Sequence, residues 1–392
     1  MAKVAVLVSG GIDSSVSLRL LKDQGHDIVA FYLKIWLEDE LSYLGDCPWQ
    51  EDLSYVQAIC AQANVALEVI SLQREYWSEV VSYTLNEIKS GRTPNPDILC
   101  NQRVKFGAFF SKIDDSFDYV ATGHYAQVQK IGDRFVLHTA PDAIKDQTYF
   151  LSHLSQKQLS RAMFPIGHLL KSEVRALGIK YDLPNKARKD SQGICFLGKL
   201  KFDEFIRHYL GNQPGDLVEQ ETGRKVGTHK GFWYYTIGQR QGLGLAGGPW
   251  YVVYKDTKLN VVYISKNYYS EEKSRNELYI QACNWFIEPD LNKTYQIKMR
   301  HGAKFNRGTL QHISGPSSSA HFEGQALQKV VPSSANNTYK VTLINRDQGI
   351  APGQFVVLYQ EDSQALSRDI VDRSTDNLCI GGGIIFDGPI KK

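Results

Sequence analysis

Three short strings hold the residues best suited to chemistry. The first, Ser9-Gly10-Gly11-Ile12-Asp13-Ser14-Ser15, lies between an apolar run at 4–8 and a helical pattern carrying Val16, Leu20 and Leu21. Phosphate binding requires inward-turned backbone N–H groups, a helix N-terminus aimed at the anion, and no bulky side chain in the way. Gly10 and Gly11 provide the access, while Ser9, Ser14 and Ser15 add hydroxyl donors. No lysine follows as in the GxxxxGK[ST] loop, and the spacing is not GxGxxG. A plain strand–turn–helix corner is the ordinary alternative, which the full string in this setting disfavours.

The second string runs Gly91-Arg92-Thr93-Pro94-Asn95-Pro96-Asp97-Ile98-Leu99-Cys100-Asn101. Its prolines stiffen the loop and present Asn95, Asp97 and Cys100 on it. A helix starting at Asp97 puts Asp97 and Cys100 on one face, within proton-transfer reach of a shared ligand. An Asn-Pro turn before a capped helix with a buried cysteine fits the same residues. In the third string, residues 186–196, Cys195 follows Gly193, and Lys186, Arg188 and Lys189 are cations able to favour a thiolate. Between residues 171 and 190 the positive residues exceed the negative by three, matching the formal charge of the whole chain. A solvated, charged helix face has the same composition.

Positioning these strings takes an α/β scaffold. Strand signals at 4–8, 28–33, 65–70 and 119–122 alternate with helical ones at 55–63 and 75–89. Such repetition predicts a doubly wound parallel sheet, with ligands at the carboxyl ends of its strands. Beyond Cys195 the pattern turns to short β-rich runs at 226–228, 231–237, 250–254 and 261–264, the last two joined as a hairpin through 256–258. Further runs at 295–300, 326–331, 339–344 and 354–359 predict a small β-barrel, with a loop at 314–319. The expected division is a catalytic α/β domain over 1–205, a small β-rich domain over 206–275 and a C-terminal barrel over 276–392.

Composition narrows the function classes. With 392 residues and a formal charge of +3, the chain is too evenly charged for a basic-tailed nucleic-acid binder, though a local footprint stays open. No apolar run nears the roughly 20 residues needed to span a bilayer, and the sequence opens directly on a strand, so neither membrane segment nor leader is expected. Cysteines at 47, 60, 100, 195, 283 and 379 form no CxxC pair and no zinc spacing. A reducing setting without a protein-held metal is therefore expected, cytoplasmic or, if a transit peptide is missing from this sequence, an organelle such as a plastid.

SGGIDS (9–14) resembles the pyrophosphatase loop of ATP-splitting enzymes that adenylate a carbonyl. With GRTPNPDILCN (91–101), ATGHYA (121–126), KDQTYFL (145–151), KDSQGICF (189–196), TIGQRQGLG (236–244), APGQ (351–354) and CIGGGII (379–385), the chain resembles bacterial and organellar tRNA-specific 2-thiouridylases throughout. The resemblance implies an ATP-pyrophosphatase fold followed by a small β-rich domain and a barrel. It makes Cys100 the attacking thiol, Cys195 the persulfide carrier and Asp97 the acid/base. ATP would lie against Leu7, Val8, Ser9, Gly10, Gly11, Ile12, Asp13, Ser14, Leu33 and Gly123, with Asp13 acting through Mg2+. Asn95, Pro96 and Asp97 would line the target-base pocket, and tRNA would also meet His124, Lys145, Asp146, Gln147, Arg300, His301 and Gln354. His301 departs from the family's usual tyrosine, and Leu7 from a frequent glycine.

The chemistry so implied replaces the C2 oxygen of wobble uridine 34 with sulfur. Adenylation expels pyrophosphate, a Cys195 persulfide supplies sulfur, and Cys100 completes release through a disulfide with Cys195. The target base must leave its stack. Expected partners are wobble-uridine tRNAs such as those for Lys, Glu and Gln, and a sulfur-donor protein, either a cysteine desulfurase or a relay; a monomer is expected. A small-molecule adenylating ligase shares the phosphate loop but has no use for the cysteine pair.

Overall fold

Strand β1 (Lys3–Leu7) is apolar throughout its interior because it is covered on both faces: Ala5 and Leu7 enter one core, while Val4, Val6 and Val8 at its end enter another. In the computed structural model, which describes residues 1–35, 49–190, 202–271, 275–313, 337–361 and 377–386, this strand is central to a parallel sheet. The sheet order is β3 (Ala66–Ser71), β2 (Asp27–Lys34), β1, β4 (Tyr119–Ala121), β7 (Ala162–Met163). Strand order reverses between β1 and β4, so the two connections leave the sheet in opposite directions and open a crevice at their carboxyl ends. The expected doubly wound fold is present. The helical run expected at 75–89 is continuous but contains a π-helical stretch, Trp77–Val81, between Gln73–Tyr76 and Ser82–Lys89.

The central β-rich part orders its strands β10 (Tyr251–Asp256), β11 (Val261–Ser265), β8 (Gly215–Glu219), β9 (Lys225–His229). The β10–β11 hairpin forms as expected. The run at 231–237 does not add a strand: Phe232–Tyr234 is a 3-10 turn, and Phe232 and Tyr235 instead pack with Trp250 and Val252 to fill the sheet's core.

The barrel contains β12 (Arg275–Trp285), β15 (Thr338–Asp347), β14 (Asn306–Ile313), β13 (Thr294–Lys298), β16 (Phe355–Glu361) and β17 (Asn377–Phe386), closed by pairing of β12 with β17. Residues 314–319 and 326–331 lie outside the described residues. β17 was not legible from sequence because glycines at 381–383 are poor strand formers. The barrel needs them there: a Cβ on Gly382 would stand 1.9 Å from the Val356 carbonyl oxygen. The hairpin of β5 (Gln127–Ile131) and β6 (Arg134–His138), which follows β4 in the chain, extends the barrel sheet by pairing with β17 at Leu378 and Cys379. The α/β domain and barrel are thereby joined by backbone hydrogen bonds.

Candidate active site

The loop after β1 is held by its own hydroxyls. Ser14 Oγ accepts from the Ser9 N–H at 3.2 Å and donates to the Gly11 carbonyl at 3.1 Å, and Ser15 Oγ donates to the same carbonyl at 2.8 Å. Gly10 has φ +76°, and a Cβ there would lie 2.8 Å from the Asp52 carbonyl oxygen. Gly123, immediately beyond β4, has equally little room: its Cβ would come 2.7 Å from the Ser14 nitrogen. The two β-strands flanking the crevice thus bring Ser9–Ser14 and Gly123 into direct contact. Leu7 and Val8 are buried at the end of β1, Ile12 and Asp13 open the following helix (Ile12–Asp23), and Leu33 lies near the carboxyl end of β2.

Cations converge on this loop from the far end of the domain. Lys171 Nζ donates to both Asp13 oxygens at 2.7 and 2.9 Å, and the Tyr125 hydroxyl donates to Asp13 Oδ1 at 2.8 Å. Arg188 donates to the Gly10 carbonyl at 3.1 Å and pairs with Asp52, while Asn185 Nδ2 reaches the same carbonyl at 2.8 Å. Asp190 collects Lys145 at 2.8 Å, Lys171 at 3.0 Å and Arg175. Burial alone would raise the Asp190 carboxyl, but bonds from Lys145 and Lys171 outweigh it and hold the group at about 2. Four cations thus face three carboxylates around an open phosphate cradle, which favours an added anion. Tyr125 is kept protonated by burial and by Asp13 beside it.

This arrangement changes the reading of the basic segment at 171–190. Lys171, Arg175 and Arg188 turn inward to the loop, leaving Lys180, Lys186 and Lys189 exposed, with Lys186 paired to Asp182. Lys171, Tyr125, Asn185 and Arg188 were not singled out from sequence as phosphate-site residues. Their only signals were membership in a charge run and in the ATGHYA string; separations of 112 to 178 residues from the loop hid the contacts.

The second string forms the expected short helix, Pro96–Leu99, with Asn95 as its N-cap: Asn95 Oδ1 accepts from the Ile98 N–H at 3.4 Å. Cys100 then starts a π-helical turn, Cys100–Lys105. Asp97 is half-buried and Cys100 buried, three residues apart as the sequence required. Asn101 Nδ2 ties this turn to the Phe150 carbonyl at 3.1 Å. The string at 145–151 links both halves of the site, since Gln147 Oε1 accepts from the Tyr125 N–H at 3.0 Å while Tyr125 holds Asp13. Cys195 and Cys47 lie outside the described residues. Burial raises the thiols of Cys60 (to about 11), Cys283 and Cys379, as expected of inert core cysteines.

The remaining expected tRNA residues occupy varied settings. His124 is buried, with Nδ1 2.7 Å from Thr122 Oγ1; burial and then nearby Lys105 lower its pKa, leaving it neutral near pH 7. Asp146 faces inward, paired with Lys298 at 3.0 Å, accepting from Thr148 Oγ1, and accepting the Ala140 N–H at 3.2 Å. Its side chain is therefore committed to the protein's interior. His301 stacks on Phe150 with ring centres 4.7 Å apart and bonds the Asp146 carbonyl at 3.1 Å. Arg300 is exposed and forks onto Asp347 at 2.8 and 3.2 Å. Gln354 contacts the Thr93–Pro94 backbone. Among the described residues no cluster of His, Cys, Asp or Glu has the makings of a metal site.

Fold and loop together define an α/β protein with a candidate phosphate cradle, carrying a β-barrel. Family models match at residues 2–199 ("tRNA methyl transferase HUP domain"), 203–266 ("tRNA methyl transferase PRC-barrel domain") and 323–366 ("Aminomethyltransferase beta-barrel domain"). A "tRNA-specific 2-thiouridylase MnmA" of Parabacteroides distasonis is 42% identical over 390 residues, covering 98% of this chain and 99% of that protein. The protein of that name from Porphyromonas gingivalis is 41% identical over 394 residues, covering 98% and 99%, and "MnmA 2" of Bacteroides fragilis 43% over 366, covering 92% and 97%. Likeness to solved structures is loose, as with an NMN synthetase from Francisella tularensis at TM-score 0.33 and 19% identity, over 52% of this chain and 71% of that one. The chain belongs to the tRNA-specific 2-thiouridylase family.

Proposed function

We propose that this protein is a tRNA-uridine 2-sulfurtransferase that spends ATP to convert wobble uridine 34 to 2-thiouridine. The observation that carries the reading is the joining of a phosphate cradle to an Asp–Cys helix through the 145–151 string, in a chain related over its full length to 2-thiouridylases. Methyl transfer, the activity in two of the family-model descriptions, has no need of a pyrophosphate cradle. A small-molecule ligase has no need of the cysteine pair.

The residues divide the work as follows. Gly11 leaves space for ATP phosphates beside backbone N–H groups, Gly10 and Gly123 let Asp52 and the end of β4 close on the loop, and Lys171 and Arg188 offset the phosphate charge. The cradle suits a triphosphate, and Mg2+ arriving with it would be held by Asp13, offsetting charge on the phosphates. Asp97 takes a proton from the uracil ring as the C2 oxygen attacks the α-phosphorus; the new P–O bond forms as pyrophosphate leaves. The terminal sulfur of a Cys195 persulfide then attacks C2 and displaces AMP. Cys100 thiolate attacks Cys195 Sγ, breaking the S–S bond, so that the sulfur remains on the base and a Cys100–Cys195 disulfide forms. A two-electron thiol reductant restores both cysteines.

Asn95 and Pro96 border the base, and His124, Lys145, Gln147, Arg300 and His301 lie on elements that meet around it. The proposal includes a persulfide-bearing donor protein, tRNAs for Lys, Glu and Gln, a monomeric state and a cytoplasmic setting; among the described residues no helix is long and apolar enough to cross a membrane. The test incubates the protein with unmodified tRNA, ATP, Mg2+ and a sulfur source, then measures 2-thiouridine by mass spectrometry of digested tRNA. Pyrophosphate released without tRNA dependence, with no 2-thiouridine formed, would refute the reading.

A further inference from the structure

The loop that leads into the Asp97–Cys100 helix cannot hold itself. Pro94 and Pro96 have no N–H, so the Thr93 carbonyl has no i+3 donor for a turn hydrogen bond, and the stretch Thr93–Pro96 offers only the N–H groups of Thr93 and Asn95. Those carbonyls are met from the barrel, 260 residues away in sequence. Gln354 Nε2 donates to Thr93 O and to Pro94 O, each at 2.9 Å. The Thr93 N–H donates in return to the Pro352 carbonyl at 2.8 Å. Gly353, at φ +90°, lies so close that a Cβ would stand 2.9 Å from Thr93 O.

The barrel loop is anchored in its own sheet. The Gly353 N–H donates to the Ile385 carbonyl at 2.9 Å, and the Ile385 N–H to the Gln354 carbonyl at 2.8 Å. A second tie runs from the next residue: the Phe355 carbonyl accepts from the fully buried Tyr149 hydroxyl at 3.2 Å, and Tyr149 is hydrogen-bonded to the Asn95 side chain. Upstream, Arg92 forks onto Glu87 with two bonds of 2.6 Å, and Gly91 packs against Thr257 at the tip of the β10–β11 hairpin. The loop is therefore gripped at each end, and among the described residues the direct side-chain hydrogen bonds from the barrel to Thr93 and Pro94 come from Gln354.

We infer that Gln354 is a positioning residue, whose amide holds the Thr93–Pro94 carbonyls so that Asn95 caps the helix and Asp97 and Cys100 are set for the base. This rests on the thiolation reading for its consequence but not for its geometry. Both amide hydrogens are directed at the loop, so the tRNA contact expected from sequence would fall to the Gln354 amide oxygen.

The test compares wild type with Gln354→Met, which keeps length and loses both donors, and Gln354→Glu, which sets a carboxylate against two carbonyls. Deuterium uptake in the 92–99 peptide should rise in both variants, with β15 and the core of β16 unchanged. Thiolation at saturating tRNA and ATP should fall about tenfold or more, the consequence of leaving two half-buried carbonyls unheld and the loop free to shift, while tRNA affinity stays within about twofold. Unchanged uptake at 92–99 overturns the inference, as does raised uptake with an unchanged saturated rate. Weakened tRNA affinity with the saturated rate intact would make Gln354 a tRNA contact instead. A wild-type protein that forms no 2-thiouridine would refute the thiolation reading and leave the exchange result standing, so the two failures are distinguishable.

Discussion

Replacing Lys298 by Met should cost about 3 kcal/mol, near the lower end of the 3–5 kcal/mol typical when one partner of a buried ion pair is removed. Lys298 and Asp146 have side chains only 2% and 1% exposed, 3.0 Å apart, where the barrel meets the 145–151 string. Met keeps the length and the packing over the rings of Phe305 and Tyr359, which lie 4.5 and 5.4 Å from the lost ammonium. What remains is a stranded Asp146 carboxylate. It retains donors from Thr148 and the Ala140 N–H, which places the loss low in the range. Asp146→Asn combined with Lys298→Met removes both charges and keeps an acceptor for those donors, so the pair of changes should return to within about 1 kcal/mol of wild type. The assay is native-state hydrogen exchange across a urea series, read at β5, β6 and β17, where the two domains share a sheet. A loss below about 1 kcal/mol for Lys298→Met, the size of a surface pair, would refute the reasoning and mean that the barrel does not seal this interface in solution.

Three further outcomes follow from the site. Asp13→Ala and Arg188→Met should abolish or strongly slow pyrophosphate release while leaving unfolding midpoints close to wild type; full turnover by a folded variant would remove these residues from the phosphate site. Charge removal at exposed Lys186 and Lys189 should instead flatten the salt dependence of tRNA binding, and an unchanged slope would make them a solvated face. Cys195→Ser should lose thiolation with a donor protein but keep it with excess sulfide, whereas Cys100→Ser should load persulfide at Cys195 and stall; labelled sulfur tracked on protein and tRNA separates the two. His153 is depressed to about 4 by burial, against a weaker opposing hydrogen bond to Ala282. Its neutral form is therefore the folded one, so its contribution is complete above the unfolded value of about 6.5 and is lost as pH falls through about 4. His153→Gln should flatten the stability profile over that window, measured by urea midpoints, and an equally steep profile would place the proton uptake elsewhere.

Local chemistry was readable without coordinates wherever a motif depends on neighbours in the chain. The 9–14 loop, its strand and helix, and the Asn95-capped helix bearing Asp97 and Cys100 all depend on glycine access, proline stiffness and i, i+3 spacing, which are properties of short segments. The parallel sheet was equally legible, because strands buried on both faces are written as unbroken apolar runs. Tertiary structure decided which distant groups complete the site. Composition cannot tell a cation that turns inward from one left in water, so Lys171 and Arg188 on the phosphate loop and Lys186 in solvent look alike in sequence. Nor could it show that Asp146 is spent on Lys298, or that Gln354 reaches across 260 residues to the Pro94 carbonyl. A hydrogen bond depends on distance and direction in space, and those are set only when the β5–β6 hairpin joins the barrel and brings β16 over the 91–95 loop.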